Sequence, residues 1–248
     1  MDVYQAFIPV LMILLWCNLL HSIPLSSNVK SDSENNYNLL VYAQEWAPTF
    51  CKLKKDKGET CRIPNTIAKD SWTIHGLWPS TTHGNAPEYC DKSLPFQEKQ
   101  VKALRSKLDR FWPGLIPNFN IWKHEWERHG TCGMDLEAIN TQYKYFDVGL
   151  ALNRDLDIHQ TLASHGIVPS SSRSYQYNDI VNALVNTFDI KTPPWMACYH
   201  EEQQYLLQIY FCLDKDFNLM DCEEGTSYGP RHTCRPDEPI VIPPLVDA

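Results

Sequence analysis

Two short segments concentrate residue types that can move protons and hold phosphate. They are Trp72-Thr73-Ile74-His75-Gly76-Leu77-Trp78-Pro79 and Trp122-Lys123-His124-Glu125-Trp126-Glu127-Arg128-His129-Gly130-Thr131-Cys132. The second has helical spacing. At about 100° per residue, with His124 as zero, Arg128 falls near 40°, Glu125 near 100° and His129 near 140°. These make two interlocked i, i+4 pairs, His124 with Arg128 and Glu125 with His129. Ile121 and Trp122 lie on the same side. A surface helix ordinarily separates apolar from charged residues, so this mixture reads as the wall of a cleft. A solvated, ion-paired face would account for the helix taken alone. A zinc-protease site fails on spacing, because that motif needs His-Glu-x-x-His with ligands at i and i+4, and the second histidine here is at i+5.

His75 taken alone, between Trp72 and Trp78, reads as a core histidine satisfied by its surroundings. Gly76 beside it allows backbone or ligand to approach closely. Added to the helix, it completes an inventory of three histidines, one acid and one cation. RNA carries its own nucleophile, the 2′-hydroxyl. Its cleavage needs a base for that proton, an acid for the leaving 5′-oxygen and cations for the charged phosphorane. Histidine can supply both proton transfers near its own pKa without a metal, so neither a metal nor another cofactor is expected.

The elements that must position these groups follow from periodicity. Tyr37 to Trp46 is rich in strand formers and roughly alternating, a strand. Lys52 to Lys69, polar with Gly58 and Pro64, reads as a surface loop stapled by Cys51 and Cys61. A short strand is expected from Trp72 to Trp78, ended by Pro79. Helices are expected over Phe96–Phe111, Asn120–Gly130, Leu136–Leu152, Ile158–Ala163 and Asp179–Phe188. A short strand is placed at Tyr175–Tyr177. From Met196 the pattern turns to strands, clearest at Tyr205–Leu213, and a proline-rich extended tail follows Pro236. Strands at both ends with helices between them indicate an α+β fold with a largely antiparallel sheet flanked by helices in one domain.

Ala6 to Leu20 is almost wholly apolar and is followed by small and polar residues, the pattern of a secretory signal peptide, although Asp2 and the lack of Lys or Arg before it depart from the rule. The expected division is residues 1–22 as the signal, with cleavage between His21 and Asn28, and 23–248 as the working domain. Export to the extracellular space or to a lysosomal or endosomal compartment follows, with no membrane attachment afterwards. Cys17 would leave with the signal. Cys51, Cys61, Cys90, Cys132, Cys198, Cys212, Cys222 and Cys234 remain, an even set that reads as four disulfides with 105 possible connectivities. No Cys-x-x-Cys pair supports zinc. The formal net charge of −8 opposes tight binding of nucleic acid at neutral pH. Protonating all nine histidines would take that balance to +1, so an acidic setting suits an anionic substrate.

Both chemical segments resemble the two active-site signatures of the T2 ribonuclease family, acid ribonucleases of weak base selectivity. The resemblance takes in the cysteine placement and Tyr145-Phe146, is strong between Leu39 and Cys132, and weakens beyond about Thr192. It implies an endoribonuclease that cuts single-stranded RNA by transphosphorylation, leaving 2′,3′-cyclic phosphate and then 3′-phosphate ends. DNA, lacking the nucleophile, would not be cut, and the protein would act as a monomer. By the same resemblance His129 is the general base, His75 the general acid and His124 a phosphate ligand. Glu125 stabilises the phosphate together with a cation, Arg128, where the family usually has Lys. Trp78 is the platform for a base. The implied cysteine pairs are Cys51–Cys61, Cys90–Cys132, Cys198–Cys234 and Cys212–Cys222. Ile121 stands where the family usually has Phe and Ser80 where it often has Asp, which bears on base preference. No Asn-x-Ser/Thr glycosylation sequon is present. A secreted RNA-binding or signalling protein of the same fold, without catalysis, is the alternative function. That alternative predicts a lost catalytic histidine, whereas all three are retained.

Overall fold

The computed structural model describes residues 37–69, 71–223, 226–227 and 233–245, and the expected signal segment lies outside them. Strand β1 (Leu39–Glu45) is buried at all its residues because it runs between two partners. On one side lies β2 (Thr73–Ser80) and on the other β5 (Gln204–Leu213), both antiparallel to it. The sequence reading ended the second strand at Pro79, but the strand runs through it, with Pro79 opposite Leu40. β2 lies at one end of the sheet, where a residue without an N–H is tolerated.

Helix α1 (Ala47–Asp56) follows β1 directly, so the first part of the expected loop is helical. Pro48 sits in its first turn, where a proline is no obstacle, and Lys54 and Lys55 favour the carbonyl end. The single helix expected over 96–111 is α2 (Glu98–Val101), a 3-10 turn and α3 (Arg105–Phe111). Next come α4 (Ile121–Arg128) and α5 (Gln142–Asp155), capped by the side chains of Asn120 and Thr141. That threonine cap places the start of α5 well after Leu136. The remaining elements are α6 (Ile158–Ser164), β3 (Ser174–Tyr175), α7 (Tyr177–Phe188), β4 (Trp195–His200), β6 (Leu219–Met220) and β7 (Ile240–Val241).

Among the described residues seven strands form one sheet, antiparallel except where β5 meets β7. This is the α+β architecture expected. One face of the sheet carries Leu40, Tyr42, Leu77, Ile209 and Phe211 into the main core with Trp112, Tyr145 and Phe146. Buried polar groups on that side are paired. The Tyr42 hydroxyl donates to the Gly149 carbonyl, and the Gln44 amide donates to that of Leu156. The opposite face presents Val41, Ala43, Trp78 and Tyr210, and the chemistry gathers there. Disulfides join Cys51–Cys61, Cys90–Cys132, Cys198–Cys234 and Cys212–Cys222, the same pairs that the resemblance implies. Among the described residues no helix is long and apolar enough to cross a membrane.

Candidate active site

His75 owes its direction to a bulge. Along β1 and β2 the pairing runs Leu39↔Ser80 to Ala43↔Gly76, then shifts to Gln44↔Ile74, leaving His75 as the extra residue. A bulge lets two side chains escape strict alternation and re-aims one of them. Ile74 and Leu77 therefore both reach the core, while His75 and Trp78 face each other edge-on at 5.1 Å between ring centres. The His75 carbonyl is taken by the Trp112 indole N–H at 3.1 Å. The Trp112 carbonyl is in turn held by the Trp122 indole at 2.7 Å. A chain of indole hydrogen bonds thus fastens α4 to the bulge.

From α4, Glu125 is buried, 1% exposed, and its Oε2 accepts from the Trp78 indole N–H at 2.7 Å. His129, at the end of the helix, is buried against the same indole, 5.5 Å away. His75 and His129 therefore flank Trp78, with the Glu125 carboxyl bonded to its ring. His124 is half-buried beside the exposed ring of Phe119 at 5.2 Å and 6.0 Å from His129. Arg128 is paired with Glu88 at 2.6 Å. Gly76 completes the packing, since a Cβ there would collide with the Trp78 indole and the Glu125 carboxylate. The Cys90–Cys132 bridge joins the loop after β2 to the 3-10 turn (Gly130–Gly133) after α4.

All six expected side chains of the helix and strand converge here. Trp78 is only 6% exposed, so its ring is a packed partner of both histidines. The exposed aromatic surface among the described residues comes from Phe119 and Tyr89 near the site and from Tyr143. A hollow of about 210 Å³ opens beside His75 and His124, lined among others by Glu45, Ile74, Phe119 and Ile121. A larger one of about 420 Å³, next to Arg110 and Arg154, shares none of these residues.

Burial sets the electrostatics. It pushes the His75 imidazole down to about 4, helped by His124, and pushes His129 down further, with Arg128 and the other two histidines adding to the effect. His124 is lowered by burial and by Arg128. Burial raises the Glu125 carboxyl to about 8, opposed by the Trp78 hydrogen bond and Arg128. Glu45 is raised to about 7, opposed by Gln208 and Lys54. The histidine charge count is corrected accordingly: near pH 5 His75 and His129 resist protonation, while the buried carboxyls of Glu125 and Glu45 take up protons instead. The ligand atoms of His124, Glu125 and His129 lie within 4.8 Å of one another, a donor set able to seat a metal ion.

Several residues escaped the sequence reading. Gln208 on β5 donates from Nε2 to His75 Nδ1 and to Glu45 Oε2, each at 2.8 Å, and Tyr210 donates to its Oε1. An acid at the end of an apolar strand and a glutamine inside another were the available signals. Neither points to a site until the strands are paired. Glu88, in an irregular loop, carried none.

Comparison with known proteins covers most of the chain. The family model for the ribonuclease T2 family matches residues 37–222. Ribonuclease Oy of Magallana gigas is 33% identical over 220 residues, 86% of this chain and 99% of that protein. Ribonuclease T2 of Homo sapiens is 38% identical over 200 residues, covering 77% and 72%. The crystal structure of human RNase T2 superposes with a TM-score of 0.66 at 33% identity, over 84% of this chain and 99% of that one. That of RNase NT in complex with 5′-AMP gives 0.71 at 25% identity, over 85% and 100%.

Proposed function

The chain belongs to the ribonuclease T2 family and is an endoribonuclease, and on that premise we propose that it cuts single-stranded RNA by histidine acid–base catalysis. The observation that carries this reading is the pair of imidazoles packed against Trp78, 5.1 and 5.5 Å from its ring, with the Glu125 carboxyl bonded to the same indole. His129, held neutral by its burial, takes the proton of the 2′-hydroxyl. His75, when protonated, delivers one to the leaving 5′-oxygen. The 2′-oxygen bonds to phosphorus as the 5′-oxygen departs, leaving a 2′,3′-cyclic phosphate that water opens more slowly to a 3′-phosphate. His124, Arg128 and Glu125 surround the phosphorane. Glu125, protonated below about pH 8, donates a hydrogen bond there instead of repelling it. Phe119 offers an exposed ring beside His124 for a base, while Trp78, packed against both catalytic histidines, holds them in place.

This assignment favours acid. His75 must be charged and its pKa is depressed, so the competent fraction grows as pH falls. His129 must be neutral and remains so over the same range. The bound phosphate anion raises both, placing the optimum in the mildly acidic range. DNA binds without being cut, the protein acts as a monomer, and the N-terminal apolar segment directs it to the secretory or lysosomal route.

The test uses purified protein, single-stranded RNA and excess EDTA at pH 5 and pH 7.5, with analysis of product ends. Cyclic phosphate ends forming faster at pH 5, unaffected by EDTA, are expected. Cleavage abolished by EDTA would move His124, Glu125 and His129 to the role of metal ligands and refute the histidine mechanism.

A further inference from the structure

Glu45 is a buried carboxyl that the proton transfers above do not use. It ends β1, is 6% exposed and stands opposite Gln208 in the ladder. The Gln208 amide is fully committed, its nitrogen donating to Glu45 Oε2 and His75 Nδ1 and its oxygen accepting from Tyr210. A primary amide can turn by 180° and exchange donor for acceptor with almost no change of shape, so its neighbours decide which way it faces. An ionised carboxylate only accepts, and therefore requires the nitrogen toward Glu45. The same nitrogen then faces His75 Nδ1, which must carry a lone pair, so the ring proton sits on Nε2. Adding a second proton at Nδ1 would set two donors against each other. With Glu45 protonated, the amide can turn and accept from both the Glu45 hydroxyl and the His75 Nδ1–H, while Tyr210, able to donate or accept, follows.

We propose that Glu45 is a positioning residue for His75, acting through Gln208: ionised, it holds an N–H against Nδ1 and disfavours the imidazolium; protonated, it lets the amide turn and support it. As pH falls Glu45 takes up its proton first and so prepares His75 to take up its own. This rests on the reading of His75 as the general acid. The groups that face Glu45 are Lys54 from α1, His75 from β2, Tyr210 from β5, and His124 and Glu125 from α4. Lys54 holds Glu45 toward the ionised form, and burial outweighs it.

The relay has a sign opposite to simple charge. Through space, an ionised Glu45 would favour a charged His75, and neutralising it would weaken proton binding. Through the amide, neutralising it frees Gln208 to turn, and proton binding strengthens. The experiment is a ¹⁵N NMR titration of His75 in the full chain and in Glu45→Gln, alongside kcat/KM for RNA against pH. Because Glu45 takes up its proton before His75, the relay predicts that Glu45→Gln leaves the proton affinity of His75 and the alkaline limb of the rate profile within about twofold of wild type, but moves the neutral ring from Nε2–H toward Nδ1–H above pH 8, where wild-type Glu45 is ionised. A neutral ring that stays protonated on Nε2 in Glu45→Gln above pH 8 overturns it. Should Glu45→Gln not fold, the wild-type spectrum decides. Neutral His75 protonated on Nε2 above pH 8 and shifting toward Nδ1 as Glu45 takes up its proton supports the relay, and a tautomer that does not change with pH refutes it. Because the titration needs no turnover, absence of RNA cleavage would sink the catalytic reading, whereas a His75 indifferent to Glu45 would sink only this inference.

Discussion

Replacing Glu125 with Gln should stabilise the fold at neutral pH and do so much less at pH 5. The carboxyl is buried and its pKa is raised from 4.5 to about 8, so between those values the folded chain binds more protons than the unfolded one. Stability therefore falls as pH rises through this window, by up to about 1.4 kcal/mol per pH unit. Working the linkage for those two values, the cost grows by about 2.5 kcal/mol between pH 5 and pH 7. Gln keeps the shape and still accepts from the Trp78 indole, but has no charge to bury. For a chain of this size the melting temperature of Glu125→Gln should exceed wild type by ~5–10 °C at pH 7. The depressed histidines act with the opposite sign. His75, with its pKa lowered to about 4, costs stability as pH falls below about 6.5, and this is common to both proteins and cancels. Calorimetry of wild type and variant at half-unit steps from pH 4.5 to 8 gives the comparison. A melting difference that does not change with pH would refute the buried-acid assignment. Because the Gln amide still donates where the protonated carboxyl does, activity of the variant at pH 5 should stay within about tenfold of wild type, whereas Glu125→Ala should lose about 100-fold.

Four further outcomes follow from the geometry. Gly76→Ala introduces a Cβ into the Trp78–Glu125 contact and should lower stability by about 1–3 kcal/mol and cleavage far more, and normal kinetics would show that the contact can relax. Trp112→Phe keeps the ring packed on Phe146 but leaves the His75 carbonyl unbonded, so a loss of about 1–3 kcal/mol in urea unfolding is expected, with kcat falling at unchanged KM. Removing the Cys90–Cys132 bridge with two serines opens a loop of 42 residues and should cost about 4 kcal/mol; a smaller effect on activity than on stability would show that packing alone holds the site. Arg128→Lys keeps the charge and should retain activity within about tenfold, whereas Arg128→Met should lose about 100-fold. Equal rates for the two would remove Arg128 from the phosphate site.

The two segments proposed as catalytic are legible because their signal is local. A helix of known pitch puts His124, Glu125, Arg128 and His129 on one side whatever surrounds it, and Asn120 marks its start. The strand boundary at Pro79 was misplaced for the opposite reason, since a proline stops a central strand but not an edge, and edge position is decided by partners far along the chain. Helix α1 was hidden by Pro48 and by lysines that read as loop until the first-turn position of the proline is known. Trp78 shows a further limit. Its role as a base platform was inferred from a motif, but the burial that ties its indole to Glu125 depends on the β2–α4 packing. Glu45, Gln208 and Tyr210 lie on different strands, and nothing short of the ladder register brings them to His75.

The site also bears on how an acidic chain handles an acidic substrate. A surface of positive charge would attract RNA at every pH, but this chain has a formal charge of −8. Its site places three histidines and two carboxyls where burial, more than neighbouring charge, sets proton affinity. Desolvation favours the neutral form of both kinds of group, so the empty site is held close to uncharged around Arg128. On the proposed mechanism an incoming phosphate then meets hydrogen-bond donors in place of carboxylate repulsion, and its own charge draws a proton onto His75. Charging is thereby postponed until substrate is present, so moderate salt should weaken binding less than it would for a preformed cationic groove. A plot of log kcat/KM against log salt at pH 5 should have a slope corresponding to about one or two phosphate contacts, and a slope of five or more would show that long-range attraction, rather than local proton uptake, brings RNA to the site.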